Sequence, residues 1–253
     1  MIMCFDERMV AIQVLSESTR IALVIVLCSV VGAGCSSGGG SVSNHSVNQL
    51  RTGEFLREDY IKALCETLSP IRATREDGDP QMIIVGRDRD GFSFMPTHNF
   101  HEGDDLYRPT NGGRLRLGDA ASAVFALVVH NSEAFSLVRG NFCLRFRFVG
   151  QSERWVTNAV IAGTYRDASG DEYVFSRDGQ ARFPRRKPFD YTLGMDHVLT
   201  PYDYIYSRGP EKSWAATITP QGISMHDVSG DNDEVVSPTA RWMLTRIATP
   251  ACK

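Results

Sequence analysis

The sequence predicts a mainly β protein, an antiparallel barrel preceded by one α-helix. Three observations carry that reading. In Phe142–Phe148, Phe142, Leu144, Phe146 and Phe148 share one face while Cys143, Arg145 and Arg147 take the other. This is the period of two of a half-buried strand. From Pro80 onward, short apolar runs alternate with hairpin signals such as Asp90-Gly91, Ser169-Gly170, Asp178-Gly179, Gln221-Gly222 and Ser229-Gly230; many short strands joined this way read as a barrel or sandwich. Helical spacing is confined to Phe55–Leu68, where Leu56, Tyr60, Leu64 and Leu68 recur every four residues.

Taken in order, the chain opens with a targeting pattern. Ile21–Val31 is an uncharged run of eleven residues behind Arg20, the length of a signal-peptide core and well short of the ~20 residues of a membrane-crossing helix. Val31-Gly32-Ala33-Gly34-Cys35 follows, and then the Ser/Gly tract Ser36–Ser43. The alternative, a buried core element of a cytosolic domain, leaves that tract unexplained. Small residues leading to a cysteine resemble the lipobox of bacterial lipoproteins. The resemblance implies that residues 1–34 are a signal peptide and that Cys35 becomes the diacylated, palmitate-bearing first residue. A start at Met9 would remove Asp6, Glu7 and Arg8 and leave a more ordinary signal. The expected address is the bacterial cell envelope, lipid-anchored. Ser36, rather than Asp, after the cysteine points to the outer membrane.

Residues 35–50 read as a flexible tether with a reach of about 20 Å, and residues 51–253 as one domain, a helix followed by the barrel. Lys and Arg number 27 against 30 Asp and Glu, a net charge of −3. That balance lacks the basic excess of a nucleic-acid partner. Past the signal and Cys35, Cys65, Cys143 and Cys252 remain, enough for one disulfide and a leftover thiol. Cys252 is the favoured bridge member, because a bond there ties down a fraying terminus. No Cys-x-x-Cys occurs, so neither a redox motif nor a cysteine zinc site is indicated.

In the domain, the helical stripe of Phe55–Leu68 stops at Ser69-Pro70, because the residue before proline avoids the helical region. Strands are expected at Met82–Val85, Gly91–Met95, Arg114–Leu117, Ala123–Val129, Ala134–Val138, Ala159–Tyr165, Glu172–Ser176, Trp214–Thr219 and Ile223–Val228. Tyr202, Tyr204 and Tyr206 share a strand face, as do Trp242, Leu244 and Arg246. A single barrel is favoured over two β units because no Pro/Gly-rich linker breaks Gly140–Gly163.

From Ala159 to Ile247 the order Gly163-Thr164-Tyr165, Tyr173–Gly179, Phe189–Leu193, Ala216–Ile218, Gly222–Met225 and Trp242–Arg246 resembles the bacterial lipocalin-like (calycin) domains. In that family an early Gly-x-Trp closes the barrel floor and an arginine of a late strand packs on it. Tyr165 stands at the tryptophan position, and Arg246 is its implied partner. Trp242 is too far along its strand to stack on Arg246, about 13 Å for four residues. The resemblance implies a closed meander barrel with an apolar cavity for a small amphiphilic ligand.

Chemistry-bearing groups are few. His98, His101 and Glu102 hold zinc-type donors, but a strand would send the two histidines to opposite faces, so a polar turn is the simpler reading and a metal-dependent hydrolase ranks last. Asp227, Asp231, Asp233 and Glu234 lack EF-hand spacing and read as a solvated acidic turn. Arg185-Arg186-Lys187, between Pro184 and Pro188, forms a basic loop, either a soluble hairpin tip or a contact for anionic headgroups. No nucleophile elbow or phosphate loop is found, and no catalytic residue, metal or cofactor is nominated. Tyr202, Tyr204 and Tyr206 are the candidate ligand-binding residues if their face turns inward, and a surface stripe if outward. Two readings stand: an envelope barrel that binds an amphiphile, and a non-enzymatic structural or interaction lipoprotein with a filled barrel.

Overall fold

The computed structural model describes residues 46–74, 79–97, 106–110, 114–117, 123–195, 201–208, 213–229, 235–248 and 252. The expected anchor residue Cys35 lies outside them, as do His98, His101, Glu102, Asp231, Asp233 and Glu234.

The chain builds an eight-stranded antiparallel barrel twice. The first contains β1 (Gly53–Arg57), β2 (Met82–Asp88), β3 (Gly91–Thr97), β4 (Tyr107–Pro109), β5 (Arg114–Leu117), β6 (Ala123–Asn131), β7 (Ala134–Arg139) and β8 (Phe142–Gly150). Each strand pairs with its sequence neighbour, and β1 closes on β8. The second contains β9 (Gly163–Arg166), β10 (Glu172–Phe175), β11 (Gln180–Arg182), β12 (Phe189–Leu193), β13 (Asp203–Arg208), β14 (Ser213–Thr219), β15 (Gly222–Ser229) and β16 (Val235–Arg246). It closes β16 on β9. Closure leaves neither sheet with an unpaired edge.

The mainly β, barrel-forming character is as the sequence reads; the count of barrels is not. The join between them is a helix, α3 (Ser152–Val160), which is why no Pro/Gly-rich linker marks it. Its apolar face (Val156, Ala159, Val160) is buried, and its first turn is capped across barrels: Ser152 N–H donates to the Glu54 carboxylate of β1 at 2.5 Å. A carboxylate there also complements the helix dipole. The strand expected at Ala159–Tyr165 therefore starts only at Gly163.

The leading helix is shorter than its periodicity implies. Phe55 and Leu56 are both fully buried, but on opposite faces of β1, Phe55 in the first barrel's core and Leu56 in the cluster outside it. The helix, α1, spans Glu58–Thr67, and Leu68 ends it in the left-handed conformation (φ 50°). Pro70 then opens α2 (Pro70–Ala73), capped by the Ser69 hydroxyl, a position where proline's missing N–H costs nothing.

The first barrel's core is built on Phe55, Phe94, Phe135, Phe146, Leu115 and Leu137. The alternation of β8 holds at the strand's centre, where Phe146 is fully buried and Arg145 faces out to pair with Glu58 at 3.4 Å, whereas Phe142 at its start is 60% exposed. A second cluster runs from Leu56 and Met82 on the outer wall of the first barrel, through Tyr60, Leu64, Leu68, Val156 and Val160 of the helices, into the interior of the second. The helices thus join both barrels into one apolar mass. Cys65 of α1 is bonded to Cys252, 187 residues away, so the bridge expected for Cys252 ties the C-terminus to the helix between the barrels.

Candidate functional site

At one end of the second barrel, Tyr165 of β9 pairs with Arg246 of β16. The guanidinium carbon lies 4.8 Å from the ring centroid, within the range of a cation–π contact. Arg246 Nη2 donates to Val160 O at 2.8 Å, and the Tyr165 hydroxyl to Ile161 O at 2.6 Å. Both acceptors are at the C-terminal end of α3, where carbonyls lack helical partners. Burial pushes the phenol's pKa up and lowers that of the guanidinium. The end is closed by a helix, an aromatic ring and an arginine.

Across the lumen, aromatic side chains pack ring against ring. Phe175 touches Tyr165 at 5.6 Å, Tyr191 at 5.0 Å and Phe183 at 5.5 Å, all edge to face. This orientation matches positive edge to negative face. Nearer the opposite end, where β11 leaves through Phe183 and β12 enters at Phe189, four rings close on themselves. The centroid separations are Phe183–Phe189 5.1 Å, Phe189–Trp214 5.8 Å, Trp214–Trp242 5.8 Å and Trp242–Phe183 5.3 Å. Phe183 and Trp214 are buried; Phe189 and Trp242 are half-buried. The lumen is filled toward its closed end and presents an aromatic floor at the other.

Two arginines lie on that floor. Arg241 and Arg186 place their guanidinium carbons 4.7 and 5.1 Å from the Trp242 ring. Arg241 sits where the β15–β16 register shifts: Trp242 pairs with Met225 but Ala240 with His226. The bulge re-aims its side chain toward Asp227, which accepts two bonds from Nη1 at 2.8 and 3.0 Å. Arg186 comes from the loop between Pro184 and Pro188. Its N–H donates to Phe183 O at 3.2 Å, and Arg185 before it has φ +60°.

The tyrosine face lies elsewhere. On β13 the core side carries Asp203 and Ile205, both buried, with Ile205 paired to Trp214. Tyr204 and Tyr206 take the outer wall, stacked on each other at 6.1 Å, with Tyr206 40% exposed. Tyr202 precedes the strand and sets its ring 6.1 Å from His226. These three residues do not line the lumen. Asp203 turns inward because α2 serves it: the Ser69 hydroxyl donates at 2.7 Å and Ile71 N–H at 3.0 Å. Burial pushes its carboxyl up to about 6.

A serine–histidine contact that the sequence reading missed lies on the first barrel's wall. Ser136 Oγ is 2.7 Å from His130 Nε2, with the Arg145–Glu58 pair nearby. Burial, then Arg145, hold the imidazole's pKa down, with Glu58 opposing. Ser136 is 1% exposed, so its oxygen is closed to a substrate and the pair reads as packing chemistry. Among the described residues no group of three or more His, Cys, Asp or Glu side chains is placed to hold a metal ion.

The chain matches no protein-family model, no curated protein and no solved structure.

Proposed function

We propose that this protein is an exported, lipid-anchored barrel protein of the bacterial cell envelope, held in the outer membrane through Cys35. In this reading it binds a small amphiphile at the mouth of its second barrel, without a catalytic role. The observation that carries it is the half-buried Trp242 floor flanked by Arg186 and Arg241. Apolar area beside a few fixed polar groups is the usual make-up of a small-molecule site. The Cys65–Cys252 bridge supports export, since such bonds persist in oxidising compartments. The Tyr165–Arg246 stack supports a calycin-like second barrel, being the contact that the resemblance implies.

The edge-to-face packing of Phe175 against three neighbours favours a second reading. A filled lumen leaves a structural or interaction lipoprotein, whose outer walls rather than its mouth do the work.

The test is organic extraction of the full-length protein purified from envelopes of its host, with the extract analysed by mass spectrometry. A stoichiometric amphiphile that is lost in Trp242→Ala supports the binding reading. An empty extract, together with a co-purifying envelope protein, supports the second.

A further inference from the structure

The two arginines on Trp242 differ in charge balance. Arg241 directs Nη1 to both carboxylate oxygens of Asp227, and that pair carries no net charge. Arg186 has no carboxylate partner among the described residues. In the turn between β9 and β10, Asp167 accepts from neutral donors, the N–H groups of Ser169 and Asp171 and the Tyr173 hydroxyl, and so keeps its charge. That phenol's pKa is pushed up by burial, Asp167 and Asp171, while Arg186 opposes the rise. Arg185 and Lys187, both exposed, add positive charge.

Four aromatic rings would by themselves suit a cationic guest, since ring faces attract positive charge. Here the protein supplies that cation itself. A quaternary ammonium would meet Arg186 and Arg241, whereas an anion would meet a guanidinium that has no ion-pair partner among the described residues. Prolines on both sides restrict the loop's backbone, so little ordering entropy opposes capture.

We infer that the mouth of the second barrel is selective for anionic amphiphiles, with Arg186 receiving the phosphate or carboxylate head and Trp242 with Phe189 carrying the apolar part. The inference rests on the amphiphile-binding reading above and specifies its ligand class.

The experiment is calorimetric titration of the full-length protein with hexyl phosphate, hexanol, hexyltrimethylammonium and inorganic phosphate. Hexyl phosphate is expected to bind about tenfold more tightly than hexanol, the size of one charge-assisted contact, and hexyltrimethylammonium more weakly than either. Arg186→Gln, an exposed loop substitution, is expected to bring hexyl phosphate to within about twofold of hexanol. Equal binding of the three hexyl probes, or an unchanged preference in Arg186→Gln, overturns the anion inference and leaves amphiphile binding standing. Inorganic phosphate binding as tightly as hexyl phosphate overturns the amphiphile class in favour of a free anion. No heat from any probe overturns both the inference and the reading beneath it.

Discussion

Arg246 and Tyr165 are cross-strand partners at the seam where the second barrel closes, the guanidinium 4.8 Å above the ring. One stack thus joins the last strand to the first, while Arg246 Nη2 and the Tyr165 hydroxyl bond carbonyls at the end of the helix that precedes that first strand.

This arrangement makes Tyr165 costly to replace. Tyr165→Phe keeps the ring and loses one buried bond, at a cost of about 1 kcal/mol. Tyr165→Ala empties a fully buried site and removes the surface under Arg246, at about 3–5 kcal/mol. Urea unfolding of the two variants checks this; equal costs would assign the stability to the hydroxyl rather than to the ring.

The seam was legible in the sequence because its residues stand in short motifs, Gly163-Thr164-Tyr165 and Trp242–Arg246. Strand positions were legible wherever alternation was clean, as in β8. The helix α3 was not, because Ser152–Val160 is too short for its 3.6-residue period to stand out beside a strand pattern that resumes at Gly163. With the joining helix unseen, two barrels read as one. The orientation of β13 was obscured differently. Alternation gives Tyr202, Tyr204 and Tyr206 one face without saying whether that face turns inward or outward. Asp203 is buried because Ser69 and Ile71, over 130 residues earlier, supply its hydrogen bonds. The mouth escaped for the same reason. Arg186 and Trp242 are each conspicuous, but only barrel closure brings them together.

Asp203 gives stability a pH dependence. Its carboxyl is raised from 3.8 to about 6, so between these values the native state holds a proton that the unfolded chain releases. Stability contributed by this group therefore falls as pH rises from 4 to 6 and is level above, a change of about 2–3 kcal/mol. Asp203→Asn removes the titration. Its amide oxygen still accepts from Ile71, and its NH₂ donates to the Ser69 hydroxyl, which leaves stability at pH 7 within about 1 kcal/mol of the parent. Denaturant midpoints at pH 4, 5, 6 and 7 measure both effects; an unchanged slope in the variant refutes the assignment.

The Cys65–Cys252 bond closes a loop of 187 residues. In the chain-entropy account such a loop limits the unfolded state by at most about 5 kcal/mol. The double variant Cys65→Ser/Cys252→Ser is expected to lower the guanidinium midpoint, with its C-terminal residues the first to become sensitive to carboxypeptidase. A midpoint equal to the parent's would show that the helices alone hold the barrels together.

Lipid attachment is tested at one atom. Cells given radiolabelled palmitate should label the parent chain and leave Cys35→Ala unlabelled, with residues 1–34 still attached. Label persisting in the variant would move the anchor to another residue and remove the basis for the expected address.

Gly222 tests the register of the longest strand pair. It opens β15 opposite Thr245, and a Cβ there would overlap the backbone carbonyl oxygen of Leu244 and crowd the Thr245 Cα. Its conformation is not the constraint: Gly91, Gly170 and Gly179 take positive φ at their hairpins, and Gly222 does not. Close approach of two backbones is. Because the obstacle is main chain within a ladder, no rotamer relieves it, and Gly222→Ala must push β16 away from β15. Leu244 is buried in the lumen and Arg246 follows it on the same face. The displacement should therefore reach the seam at Tyr165. A loss of about 3 kcal/mol is expected, with faster amide exchange at Arg246 and Ile247, whose N–H groups bond Gln221 O and Thr164 O. A stable Gly222→Ala protein with unchanged exchange at those amides would mean that the β15–β16 register differs from the one described.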